Sequence, residues 1–180
     1  MKYPEDDIIL EMILHTETRN EGFRCLVGKY KEKLYWHIRR LVGDHEDADD
    51  VLQNTFVKVF RNADTFQKQS ALFTWIYRIA TNESLNLIEA KKKKQTEELD
   101  QAVVYSLRSS TDVEGDWILT KLSEAIQILP EKQKLVFNLR YYDEMSYQDI
   151  ADITNTSVGA LKASYHHAVK KIEEHLTQEK

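Results

Sequence analysis

Apolar residues recur at steps of three and four over most of the chain, with few strand-like alternations. Phe23, Leu26, Val27, Tyr30, Leu34, Ile38, Leu41 and Val42 make one such stripe, which predicts a helix of about twenty residues. Gly43 is placed to stop it, because glycine takes the left-handed backbone that ends helices. Asp44 or Asp47 can cap the next helix, whose inward side is Ala48, Val51, Leu52, Thr55, Val59 and Phe60. Residues Asn62–Ser70 lack a period. Leu72–Ala90 then predicts a third long helix, ending in the lysine run Lys91–Lys94, where cations suit the negative end of the macrodipole. A short amphipathic helix is also predicted around Ile8–Leu14.

The periodicity fails over residues 95–116, a stretch rich in Ser, Thr and Asp that reads as a linker with a short helical start. It divides the chain into residues 1–94 and 117–180. The second part begins with helices over Trp117–Leu129, stopped before Pro130, and Glu131–Tyr142, with Leu135, Val136 and Leu139 inward. Residues 146–172 read as two helices joined by a tight turn. Ser146 caps the first, with Asp149 three residues on. Asn155 stands where the turn needs a residue tolerant of positive φ. Thr156 or Ser157 caps the second. Val158, Leu161, Tyr165, Ala168 and Ile172 form its inward stripe, leaving Lys162, Ser164, His166, Lys170 and Lys171 outward. No acid occurs from Ser157 to Ile172. That is how a helix-turn-helix presents cations and polar groups to a DNA major groove.

The fold class expected is all-α, two small helical domains joined by an acidic linker. Five glycines and two prolines in 180 residues agree with a chain of few turns. A net charge of −5 by itself argues against a nucleic-acid binder, but Gln95–Ile118 holds six acids and one base and accounts for all of it. Basic patches can therefore stand on either side. No apolar run is long enough to span a membrane, and the opening MKYPEDD does not read as a secretory signal. The one cysteine, Cys25, is expected as a small core residue, and a chain without disulfides fits the cytoplasm. Six histidines lack metal-ligand spacing, and no phosphate loop, nucleophile motif or catalytic carboxylate pair is present. Neither an enzyme, a metal nor a cofactor is expected.

Three further clusters stand out. Asp50, Gln53 and Asn54 share one outward helix face. Phe66 lies beside Gln67, Lys68, Gln69 and Ser70 in the non-periodic stretch, where an aromatic among polar groups suits stacking of unpaired bases. Phe73 and Trp75 are expected instead to anchor that loop to the core. Arg78, Asn82 and Asn86 make a polar stripe at steps of four, opposite Ile76, Ile79, Ala80 and Leu87, fit to meet a nucleic-acid backbone and base edges. On these residues alone a polymerase-independent helix-turn-helix regulator, or a helical adaptor, also stands.

Taken together, DDVLQNTFVKVFRN, then SALFTWIYRIATN, the acidic segment, and LPEKQKLVFNLRYYDEMSYQDIADITNTSVGALK resemble the extracytoplasmic-function sigma factors of bacteria, in order and spacing, from about Phe23 to Leu176. The resemblance implies a sigma-2 domain over 1–94, a linker over 95–116 and a sigma-4 domain over 117–180. It implies core RNA polymerase as partner, through its β′ clamp at Asp50, Gln53 and Asn54 and through its β flap. At Asn54 the family usually has an acid. The minus-ten element would be captured by Phe66, Gln67, Lys68, Ser70, Arg78 and Asn82, with Asn82 holding the flipped base and Lys68 replacing a usual glycine. The minus-thirty-five duplex would be read by Ser157, Lys162, Ser164, Tyr165, His166 and Lys170. The family commonly has Ser-Arg where this chain has Ala163 and Ser164; loss of a guanine-reading arginine implies a different recognised sequence. An anti-sigma factor and an envelope or environmental signal are also implied.

Overall fold

Gly43 takes φ 82° and its N–H bonds the Arg39 carbonyl at 3.0 Å, closing a 24-residue helix. In the computed structural model, which describes residues 3–66, 70–99 and 117–177, that helix is α2 (Arg19–Val42). It follows α1 (Asp6–Leu14) and precedes α3 (His45–Asn62) and α4 (Leu72–Leu99). Then come α5 (Trp117–Gln127), α6 (Glu131–Phe137), α7 (Tyr147–Thr154) and α8 (Val158–Thr177). No strand occurs among the described residues, and the chain divides into two compact units, Met1–Val104 and Tyr105–Lys180.

In the N-terminal unit α2, α3 and α4 pack on one another, and α1 lies on α2 and touches α4. The predicted stripes are realised: Leu26, Tyr30, Leu34, Ile38, Leu41, Ala48, Val51, Leu52, Thr55 and Val59 are buried. Phe56 joins them, and Phe23 lies half-buried with its ring edge-on to Phe56 and Phe60 at 6.2 and 4.9 Å. His37 is fully buried and shares a 3.0 Å hydrogen bond with Thr81 Oγ1, which ties α2 to α4. Cys25 departs from expectation. It is half-buried at the edge of this packing, not in the core.

The predicted helix at Ile8–Leu14 is α1, and it buries Ile9, Leu10 and Ile13. Its approach needs Gly22, where an added Cβ would stand 2.7 Å from Met12 Cβ and 2.8 Å from the Ile13 nitrogen. Asp6 fixes its first turn by accepting from the Tyr30 hydroxyl and from Lys29 Nζ, both at 2.7 Å. Burial, reinforced by the Asp6 carboxylate, holds the Tyr30 hydroxyl far above the ordinary tyrosine range.

The expected end of the third long helix is corrected. α4 continues through Lys91–Lys94 to Leu99, so the lysines lie inside a helix and not at its negative end. Lysine is a good helix former, no glycine or proline occurs in the sequence between Leu72 and Gly115, and Lys91 ion-pairs with Asp47 of α3. The first five residues of the expected linker are thus helical; its residues 100–116 lie outside the described ones.

The C-terminal unit has its own core of Ala125, Ile126, Leu129, Phe137, Ala168 and Ile172, with Leu122, Tyr165, Val169 and Leu176 packed against it. The predicted helix Glu131–Tyr142 has the expected extent but not a uniform geometry. Asn138–Tyr142 form a π turn, in which the Asp143 N–H reaches the Asn138 carbonyl five residues back at 3.1 Å. The wider turn helps bring the Tyr141 ring onto Phe137 at 5.1 Å. Asn138 is fully buried and neither its amide nitrogen nor its amide oxygen has a hydrogen-bond partner.

Candidate nucleic-acid interface

Local chemistry builds the helix-turn-helix as anticipated. Ser146 Oγ accepts from the Asp149 N–H at 3.1 Å and donates to the Asp149 carboxylate at 2.5 Å, starting α7. Asn155 ends α7 at φ 51°, ψ 44°, the left-handed corner that a short polar residue tolerates. Of the two candidate caps for α8, Ser157 does the work: its Oγ accepts from the Ala160 N–H at 3.3 Å. Leu161, Ala168 and Ile172 then face the core.

The opposite side of α8 carries Lys162, His166 and Lys170, all exposed, whereas Ser164 is half-buried and falls toward the Leu161–Ala168 side of the helix. Lys170 lies 3.9 Å from Glu174, one turn on. Tyr165 is placed differently. Its ring stacks on Phe137 at 5.9 Å and 14°, and burial raises its hydroxyl above the ordinary tyrosine range. Among the expected duplex-reading residues it belongs first to the packing.

In the N-terminal unit Asp50, Gln53 and Asn54 are exposed along α3. Val57, 40% exposed, continues the same strip; the sequence reading missed it because a lone apolar residue on a polar face carries no pattern. Two ion pairs fasten α3 to α4, Lys58 to Glu83 at 2.5 Å and Lys91 to Asp47. α3 is capped by Asp44, which accepts from the Glu46 and Asp47 N–H groups at 2.9 and 3.2 Å.

The loop after α3 starts from a fixed point. Arg19 donates to the Phe60 carbonyl at 3.1 Å, lies 4.6 Å from the Phe60 ring centroid and faces Asp64 at 3.8 Å. The 3₁₀ turn Ala63–Thr65 follows. Phe66 is half-buried, its ring 5.0 Å from that of Trp75; Trp75 and Phe73 are themselves half-buried, in keeping with an anchoring role. Gln67 and Lys68, with Gln69, lie outside the described residues, and Ser70 is half-buried. Beyond the loop, α4 presents Asn82 and Asn86 to solvent and holds Arg78 half-buried. The polar stripe is therefore real, but its arginine is partly withdrawn. Among the described residues no group of three His, Cys, Asp or Glu side chains is placed to hold a metal ion. No helix among them is long and apolar enough to cross a membrane.

Each unit matches a known protein family. Residues 26–94 match sigma-70 region 2 and residues 119–172 match sigma-70 region 4. The chain is 30% identical over 167 residues to the ECF RNA polymerase sigma factor SigW of Bacillus subtilis, covering 87% of this chain and 89% of that one. It is 30% identical over 179 residues to the ECF RNA polymerase sigma-E factor of Haemophilus influenzae, covering 93% of each. The fold is similar to that of the sigma factor RpoE from Bartonella quintana, solved with the anti-sigma factor NepR (TM-score 0.73, 22% identity, 89% of this chain and 99% of that one). It is also similar to that of CnrH, solved with the cytosolic domain of CnrY (TM-score 0.72, 20% identity, 97% and 99%). With a sigma-70 match on each unit and a relative of that identity spanning most of both chains, the protein belongs to the extracytoplasmic-function sigma factors of the sigma-70 family, non-enzymatic initiation factors whose partners are core RNA polymerase and promoter DNA.

Proposed function

We propose that residues 1–94 act as the sigma-2 domain, 95–116 as a connecting strap and 117–180 as the sigma-4 domain, directing polymerase to promoters in answer to an envelope or environmental signal. The observation that carries this reading is the pairing of two outward polar faces on independently packed cores: Asp50, Gln53 and Asn54 on α3, and an acid-free α8. The α3 strip docks on the β′ clamp, and the sigma-4 domain reaches the β flap. Lys162, His166 and Lys170, with Ser157 and Ser164, meet the minus-thirty-five duplex, and Tyr165 supports them from beneath. Phe66, Gln67, Lys68 and Ser70, with Arg78 and Asn82, take the unpaired minus-ten bases. Extruding a base costs a few kcal/mol, which stacking of about 1–3 kcal/mol per base largely offsets.

The charge of −5 over Gln95–Ile118 suits a segment lying in polymerase channels that otherwise hold RNA. The protein acts in the cytoplasm and is held inactive by an anti-sigma factor; in support, RpoE was solved with the anti-sigma factor NepR and CnrH with the cytosolic domain of CnrY. Run-off transcription with purified core polymerase on a genomic fragment library is the test. Discrete promoters are expected to fire, and Asp50→Lys should abolish both firing and capture by core polymerase while leaving the melting temperature unchanged. Promoter-selective binding without polymerase, or an Asp50→Lys protein that still fires, would overturn the reading.

A further inference from the structure

The aromatic rings of the C-terminal unit form a chain of contacts. Tyr141 stacks on Phe137 at 5.1 Å and 18°, Phe137 on Tyr165 at 5.9 Å and 14°, and Tyr165 meets Tyr147 edge-on at 6.4 Å. The inner members belong to or pack against the core. The last ring, Tyr147, stands at the start of α7 and has two cations near its face: the Arg140 guanidinium carbon at 5.1 Å and Lys162 Nζ at 5.8 Å from the centroid. Arg140 also donates to the Met145 carbonyl at 2.6 Å. A cation over an aromatic face is attracted by the ring quadrupole.

Lys162 is the only lysine or arginine between Ser157 and Lys170, so the first two turns of α8 present a single permanent positive charge. A lysine has a long, flexible stem, and its rotamer freedom is lost when it binds. A ring that already holds the ammonium group reduces that loss. We propose that Tyr147 is a positioning residue for promoter reading: its ring, set by the stack that runs back through Tyr165 to Phe137, holds Lys162 at the DNA-facing side of α8. The inference rests on the proposed assignment of α8 to the minus-thirty-five element. It also gives Tyr165 a part in recognition that needs no contact with DNA.

The test uses the full chain with core polymerase and a promoter fragment selected by run-off, with its minus-thirty-five element native or scrambled. The readout is the ratio of the two affinities. Tyr147→Phe keeps the ring and should keep the ratio. Tyr147→Leu should lower it about two- to fivefold, the range of an exposed cation–π contact, and should lower it no further in a Lys162→Ala background. Tyr147→Met supplies the same comparison if Tyr147→Leu does not fold. An equal loss from Tyr147→Leu with and without Lys162 would overturn the proposal, because the ring would then act on its own. So would a Tyr147→Leu protein with an unchanged ratio beside a Lys162→Ala protein that has lost it. If Lys162→Ala leaves the ratio intact, both the assignment of Lys162 and this inference fall. A wild-type protein indifferent to scrambling would remove the minus-thirty-five reading itself.

Discussion

The two units solve the same problem with different material. The N-terminal core is mainly aliphatic, with Leu26, Leu34, Ile38 and Ile76 fully buried, and the strip on α3 proposed to dock on polymerase stands outside that core. Ion pairs from Lys58 and Lys91 fix the strip to α4, so Asp50 and Gln53 can change without touching the packing. The C-terminal unit is smaller, and its core runs through aromatic rings that continue to α8. Phe137 is buried beneath Tyr165, and Tyr165 meets Tyr147. A short chain has little apolar area to bury, so the same side chains that hold the unit together also place the groups proposed to face DNA. On the proposed assignments, stability and recognition are separable in the first unit and coupled in the second.

The strongest way to break that contrast is Phe137→Ala. Removing a buried phenylalanine costs about 3–5 kcal/mol, a large share of what a small unit has. Amide hydrogen exchange on the full chain should show protection lost across α5, α6 and α8 and kept in α2, α3 and α4. Capture by core polymerase should survive, while discrimination of native from scrambled minus-thirty-five DNA disappears. Loss of protection in both units together would show that they are one cooperative structure and end the comparison.

A smaller effect, of opposite sign, is expected at Asn138. Its amide is buried with both polar atoms unpartnered, and such groups cost about 1–3 kcal/mol when left unpaired. Asn138→Leu should therefore raise the stability of the C-terminal unit by about 1 kcal/mol or more, seen as a higher denaturant midpoint with an unchanged slope. A destabilised variant would mean that the amide has a partner, such as a buried water, and that the π turn depends on it. A stabilised variant with weakened promoter discrimination would place Asn138 among the residues kept for function at the expense of stability.

What the sequence made legible follows the range of the forces involved. Gly43, Asp44, Ser146 and Asn155 act within a turn of themselves, and each was readable as a cap or a corner. The inward stripes were readable for the same reason, since period and burial go together. The seating of α1 was not: it depends on Gly22, eight residues beyond its end, and on Asp6 reaching Tyr30. The length of α4 was hidden because a lysine run reads equally well as a helix end or as helix interior, and Lys91 finds its partner forty-four residues away. Tyr165 could be placed both on the inward stripe and in the DNA-facing set; only its contact with Phe137 separates the two. Val57 and the Tyr147–Lys162 contact give no one-dimensional signal at all.

The gentlest test of the contrast lies in the caps. Asp44 starts α3 with a charge, whereas Ser146 starts α7 with a hydroxyl. The Asp47 N–H, offset by some desolvation and helped by the Glu46 N–H and by the charges of Lys91 and Arg39, holds the Asp44 carboxyl below the ordinary aspartate range. A carboxylate whose folded pKa is depressed stabilises the fold above its unfolded pKa, and that contribution fades as the pH falls through the folded value. Asp44→Asn retains an acceptor for the two N–H groups, so the melting temperature near neutral pH should change little. Below about pH 4, where more than half of a free aspartate is protonated, the wild-type α3 should lose protection faster than the asparagine variant. The protection of α7 should be the same in both proteins over that range. Parallel acid profiles for α3 in the two proteins would mean that the Asp44 charge adds nothing to its hydrogen bonds, and that the two units begin their polar helices in the same way after all.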